Sequence, residues 1–206
     1  MTEEGVIKFD FFCEDDQDVI PEKLFHEVNP VRNKLAELEL IGQYPDGLSY
    51  GNISIKDNNT KDFYITASDT GKIKTTGKEH YVRIVSCNTD NNFCKFRGKG
   101  LPSSETLTHF IIYELSKEVR SVIHVHNKEL WDNLKGKVPS TSESAGYGTV
   151  KMVKEVSLLF GQGRVQQEKL LVMKGHEEGV VCFGGSATEA MKILTKAMEG
   201  VSRRLL

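Results

Sequence analysis

Val119-Arg-Ser-Val-Ile-His-Val-His126 is the stretch on which the reading of this chain turns. Its β-branched residues Val119, Val122, Ile123 and Val125 predict a strand that runs into His-Val-His. On a strand, residues two apart project from the same face, so His124 and His126 stand side by side. Two imidazoles placed in this way can reach one divalent metal ion. The same pair also describes two strand-end histidines with no ligand at all.

Helices and strands are interspersed on either side of this strand. Upstream, Pro102-Ser-Ser104 leads into a helix with Leu107, Phe110, Ile111 and Leu115 on one side. Downstream, a short helix is expected over 127–134 with Trp131 as its anchor. Thr149 is placed to cap a helix bearing Val150, Val153, Val156 and Phe160. Lys169–Met173 and Gly179–Phe183 read as apolar strands across a short loop. Ser186-Ala-Thr-Glu189 matches a capping box, followed at helical spacing by Ala190, Met191, Leu194, Met198, Val201 and Leu205. Nearer the start, Pro21 opens a helical pattern through Leu24, Val28, Val31, Leu35 and Leu38 that should stop near Gly42. Hairpin-like strands are expected over 48–55 and 63–66, and again from Tyr81 and Phe93, with polar turns between them. These elements predict one α/β domain whose mixed, largely antiparallel sheet is covered by helices. Residues 1–20 read as an acidic arm, with Glu14, Asp15, Asp16 and Asp18, and 21–206 as the folded domain.

Composition narrows the classes of function. The chain has 206 residues, 38% hydrophobic and 27% charged, as in an ordinary globular domain. Its net charge of −2 argues against a nucleic-acid partner or an acidic membrane surface. No run approaches the roughly 18–20 apolar residues of a bilayer span. The start, Met1 to Val6, shows neither a basic nor an apolar leader segment, so a cytoplasmic protein is expected. Cys13, Cys87, Cys94 and Cys182 fit neither a CxxC zinc site nor a disulfide framework, and reduced thiols are expected.

Further residues could carry chemistry. His176, in Lys174-Gly-His-Glu-Glu-Gly179, lies in a loop able to point a third imidazole back across neighbouring strands. Three histidines would leave a fourth metal position open, as in a catalytic site. Glu177 and Glu178 read as solvated loop charges. Glu105 at a helix start suits the helix dipole, and equally a general acid/base whose burial would raise its pKa. Ser103 and Ser104 could cap that helix or hold a phosphate there. Gly51-Asn52-Ile-Ser54 and Thr66-Ala-Ser68-Asp-Thr70-Gly71-Lys72 could cradle an anion or be ordinary turns.

The order of these motifs is more specific than any one of them. Gly-Asn-x-Ser, Thr-x-Ser, Ser-Ser-Glu, His-x-His and a distant Gly-His together resemble the class II aldolase/adducin family, which includes L-fuculose-1-phosphate aldolases. The resemblance covers roughly residues 25–200 and implies a three-layer α/β/α fold, often as a homotetramer. It implies Zn2+, or another divalent transition metal, on His124, His126 and His176, with Glu105 as the catalytic carboxylate. Gly51, Asn52, Ser68, Thr70, Gly71, Ser103 and Ser104 then contact a small substrate or its phosphate. The activity implied is reversible aldol cleavage of a sugar phosphate or related hydroxycarbonyl compound through a zinc-stabilised enediolate. A dehydratase of the methylthioribulose-1-phosphate type and a non-catalytic adducin-like domain are the alternatives. Two features depart from the pattern. Asp69 opposes a phosphate electrostatically, so either the substrate lacks that phosphate or Thr70 and Gly71 replace the usual pair. The family's tyrosine proton donor has no match just after Pro139, and Tyr147 is the nearest candidate.

Overall fold

Ser121–His126 forms a strand whose alternation divides the molecule into layers. The computed structural model describes residues 6–203. Its first half contains β1 (Asp10–Asp15), α1 (Glu22–Glu37), β2 (Gly42–Gln43), β3 (Ser49–Tyr50), β4 (Asn52–Lys56), β5 (Phe63–Thr66), β6 (Tyr81–Asn88) and β7 (Phe93–Arg97). Then come α2 (Thr106–Leu115), β8 (Ser121–His126), α3 (Lys128–Leu134), α4 (Val150–Gly161), α5 (Arg164–Glu168), β9 (Leu170–Val172), β10 (Gly179–Gly184) and α6 (Ala187–Ser202). Eight strands form one sheet in the order β1-β7-β6-β5-β4-β8-β10-β9. Every neighbouring pair is antiparallel except β1 with β7, so the sheet is mixed and largely antiparallel.

One face of the sheet buries Ile53, Ile55, Ile123, Val125, Val180 and Cys182 against α1, α3 and α6. The other buries Phe63, Ile65, Val122, Val181 and Phe183 against α2 and α4. The architecture is therefore α/β/α in three layers. Burial of Ile123 and Val125 together is worth about 3–6 kcal/mol, which fixes the register of β8. Two-residue periodicity then commits His124 and His126 to the α2/α4 face, continuing the row begun by Val122.

Local differences from the sequence reading have physical causes. Helix α1 ends at Glu37, short of Gly42, because Glu39 adopts a left-handed conformation and the Leu40 N–H returns to the Leu35 carbonyl. Leu38 is consequently exposed, while Leu40 and Ile41 enter the core. The strand expected over 48–55 is broken by Gly51, whose φ of +72 separates β3 from β4. On α2 the buried side includes Thr108, His109, Ile112 and Tyr113, whereas Leu115 is exposed. Ser186 caps α6 by accepting the Glu189 N–H at 3.1 Å, but Glu189 returns to the N–H of Gly185. Leu205, assigned to the same apolar stripe, lies outside the described residues. Within the segment read as an acidic arm, β1 is an edge strand: Phe9 is buried beside it, and Phe11 and Phe12 are exposed.

Candidate metal centre and adjoining cavity

The end of β8 lies between β4 and β10, with Asn52 opposite His124 and Gly179 opposite His126. The turn from β9 into β10 carries His176 back over this end. All three imidazoles are buried, and one ring nitrogen from each lies within 4.8 Å of the others. His124 Nε2 and His126 Nε2 are 3.1 Å apart. Two nitrogens bound at about 2.0–2.1 Å to one tetrahedral zinc sit roughly 3.3 Å apart, so the donor set fits such an ion. Burial and the neighbouring His124 and His176 hold the pKa of His126 well below its ordinary value. The ring is therefore neutral near pH 7, the form that binds metal.

Glu105 immediately precedes α2 and is 1% exposed. Its Oε1 lies 3.3 Å from His176 Nδ1. Burial alone would raise its pKa, as the sequence reading required. However, the His176 hydrogen bond and the charges of His124 and His176 outweigh burial and bring it down to about 2. In this structure the neighbouring histidines therefore push the Glu105 carboxyl down rather than up. Below it, His109 Nδ1 and the Tyr113 hydroxyl each lie 2.7 Å from Ser54 Oγ. Burial, reinforced by His124 and opposed by Glu105, lowers the pKa of His109 to about 3. This residue is neutral near pH 7 and bonds Ser54 rather than Glu105.

A cavity of about 360 Å3 opens beside the centre, lined by His124, Glu105, Ser103, Ser104, Asn52 and Gly51, and by the loop Ser68–Gly71. The candidate residues before β8 thus share one cavity with His124. Their roles within it differ. Asn52 Nδ2 donates to Ser103 Oγ at 3.0 Å, while its buried Oδ1 has no partner among the described residues and offers an acceptor. Thr70 donates its hydroxyl proton to the Ala67 carbonyl at 2.7 Å, so it locks the turn. Asp69 accepts from Ser49 Oγ at 3.0 Å and from Lys72, and the Lys72 bond holds its pKa down despite partial burial. Its negative charge is thereby paired. Tyr147 lies against His176 of its own chain, with ring centroids 4.7 Å apart.

Gly51 is required at its position, because a Cβ there would lie 3.0 Å from the Leu40 carbonyl oxygen and 3.1 Å from that of His124. The loop that carries Thr70 and Gly71 is held by a residue the sequence reading passed over. Arg32, fully buried on α1, donates to the carbonyls of Thr70 (2.6 Å), Lys74 (3.2 Å) and Ile73. Tyr44 and Tyr50 were also missed. Glu178 accepts the Tyr44 hydroxyl proton at 2.7 Å and is therefore not a purely solvated charge, whereas Glu177 faces out and pairs with Lys128. An isolated tyrosine in a loop gives no sequence signal for such a contact.

Comparison with known proteins agrees with this architecture. The family model described as Class II Aldolase and Adducin N-terminal domain matches residues 44–202. No curated protein matches the chain. The solved structure of an L-fuculose 1-phosphate aldolase superimposes with a TM-score of 0.66 at 20% identity, covering 90% of this chain and 85% of that one. An L-fuculose-1-phosphate aldolase from Thermus thermophilus gives 0.64 at 17% identity, covering 90% and 94%. A sugar-phosphate aldolase from Thermotoga maritima gives 0.59 at 19% identity, covering 86% and 92%. At these identities the likeness establishes the fold.

Proposed function

The chain belongs to the class II aldolase and adducin family, and from that premise we propose that it is a zinc-dependent lyase performing reversible aldol cleavage of a small sugar phosphate or related hydroxycarbonyl compound. The observation that carries this reading is the buried Glu105 beside three converging histidines at the wall of a cavity. His124, His126 and His176 would hold the cation. When bound there, a divalent cation supplies Lewis-acid polarisation of a substrate carbonyl and its adjacent hydroxyl.

The protein's own groups then divide the work. Glu105 takes a proton at a carboxylate oxygen and returns it. Asn52, Ser103 and Ser104 hold the phosphate or hydroxyl end of the substrate, with Gly51 setting the approach of the chain. Ser68, Thr70 and Gly71 close the opposite wall. Tyr147, against His176, is the proposed proton donor to the aldehyde oxygen in the synthetic direction, restored by the proton that Glu105 takes from carbon, with the reverse transfers on cleavage. The pairing of Asp69 with Lys72 reduces its repulsion of a substrate anion. Retention of the histidines and Glu105 supports catalysis over a purely structural, adducin-like role. We further propose a cytoplasmic homo-oligomer, a homotetramer on the family's pattern. Among the described residues no helix is long and apolar enough to cross a membrane.

The test is turnover of ketose 1-phosphates by zinc-loaded protein, read as aldehyde release, with loss of water scored in parallel. Glu105→Gln should keep the metal and lose about 10²–10⁴-fold in turnover. Wild-type turnover in that variant would remove Glu105 from the reaction. Loss of water without aldehyde release would replace the aldolase by the dehydratase.

A further inference from the structure

We propose that Tyr44 is a positioning residue for the metal centre, tying His126 to Glu178 and selecting the His126 tautomer whose Nε2 faces the cation. The inference rests on the metal-site reading above. Tyr44 OH lies 2.8 Å from His126 Nδ1 and 2.7 Å from Glu178 Oε2. An ionised carboxylate can only accept, so the phenol proton goes to Glu178. The phenol oxygen is then the acceptor for a proton on His126 Nδ1. In a neutral imidazole that leaves Nε2 with its lone pair, and Nε2 is the atom 3.1 Å from His124 Nε2.

The surroundings fix each member of this chain. Tyr44 sits in a tight turn, its N–H donating to the Leu48 carbonyl at 2.8 Å and its carbonyl accepting from Gly47 at 2.9 Å. Glu178 has a φ of +66, and its carbonyl accepts the Asn127 N–H at 3.0 Å, anchoring the β9–β10 turn to the end of β8. Tyr50 stacks on the His126 ring at 5.4 Å and 28°, and its own ring is 4.5 Å from that of Tyr44. The stack sets the plane of the imidazole, and the phenol sets which nitrogen carries the proton. Such outer partners typically govern metal affinity by about 10–100-fold.

Tyr44→Phe removes the oxygen and keeps the ring against Tyr50. Zinc affinity is measured by competition with a chromophoric chelator at mildly alkaline pH. The imidazole tautomers of the metal-free protein are read by 15N NMR. Wild type should show Nδ1-protonated His126. The variant should lose that preference and bind zinc about 10–100-fold more weakly, with an unchanged far-UV circular dichroism spectrum. Glu178→Ala, which leaves the tyrosine in place, should weaken binding in the same direction and serves if Tyr44→Phe folds poorly. Zinc binding within twofold of wild type in the variants, or an Nε2-protonated His126 in wild type, would overturn the proposal. A wild type that binds no zinc would instead overturn the metal-site reading on which it rests.

Discussion

Replacing Arg32 by methionine tests what holds the wall of the cavity. The side chain is fully buried, and its guanidinium donates to the carbonyls of Thr70, Ile73 and Lys74. In Arg32→Met the Ile73 and Lys74 carbonyls lose that donor, and Thr70 keeps the turn bond from the Ile73 N–H at 3.1 Å. A hydrogen bond from a charged donor is worth about 1.5–3 kcal/mol net of its desolvation, so three independent ones would sum to roughly 4–9 kcal/mol. One guanidinium serves all three acceptors, it is desolvated enough for burial to lower its pKa, and Thr70 keeps a second donor, so the contributions do not add. A net loss of about 2–4 kcal/mol is expected. For a chain of this length the melting midpoint should fall by roughly 4–16 °C. Hydrogen exchange should place the damage: amides of 70–76 should lose protection while those of β8 and β10 keep theirs. An unchanged midpoint together with unchanged exchange in 70–76 would refute the argument that the guanidinium supports this loop.

Two further outcomes follow from the same geometry. A Cβ on Gly71 would lie 1.9 Å from the Gly42 carbonyl oxygen, so Gly71→Ala must push the loop off β2. It should cost about 1–3 kcal/mol in urea denaturation, and a neutral result would mean that the two backbones are not in contact. Glu189 has its pKa lowered by Lys169 and by the Gly185 N–H, outweighing its slight burial. It therefore stabilises the fold above its ordinary value of 4.5, and that contribution fades as the pH falls through the lowered value. Glu189→Gln should cost about 0.5 kcal/mol at pH 7, the solvent-screened scale for a half-exposed pair. The cost should disappear in acid, and a difference that grew in acid would reverse the assignment.

The alternation in 122–126 and the capping signals at Thr149 and Ser186 are local, so the central strand and the starts of two helices were legible in sequence. The family's motif order pointed to the histidines and Glu105, which the fold then gathers from β8, the β9–β10 turn and the start of α2. Direction of titration was not legible, because it depends on which histidines face Glu105 rather than on burial alone. Nor were Arg32, Tyr44 and Glu178. Their partners lie 38 to 134 residues away, and nothing in the neighbourhood of an arginine or a tyrosine reports a carbonyl or an imidazole at that distance. The edge position of β1 was hidden for a related reason: its pairing with β7 joins segments far apart in the chain.

The alternation along β8 also bears on quality control during folding. Paired one residue out, the strand would push two imidazoles into the layer beneath α3 and α6 and turn Ile123 and Val125 toward the cavity. Such a slipped molecule could collapse and keep most of its helices, yet it would present no ligands. A cation held by the native histidines stabilises correctly threaded chains alone, in proportion to the logarithm of its concentration over its dissociation constant. On the metal-site reading proposed above, cation supply would then act as a proofreader of the β8 register.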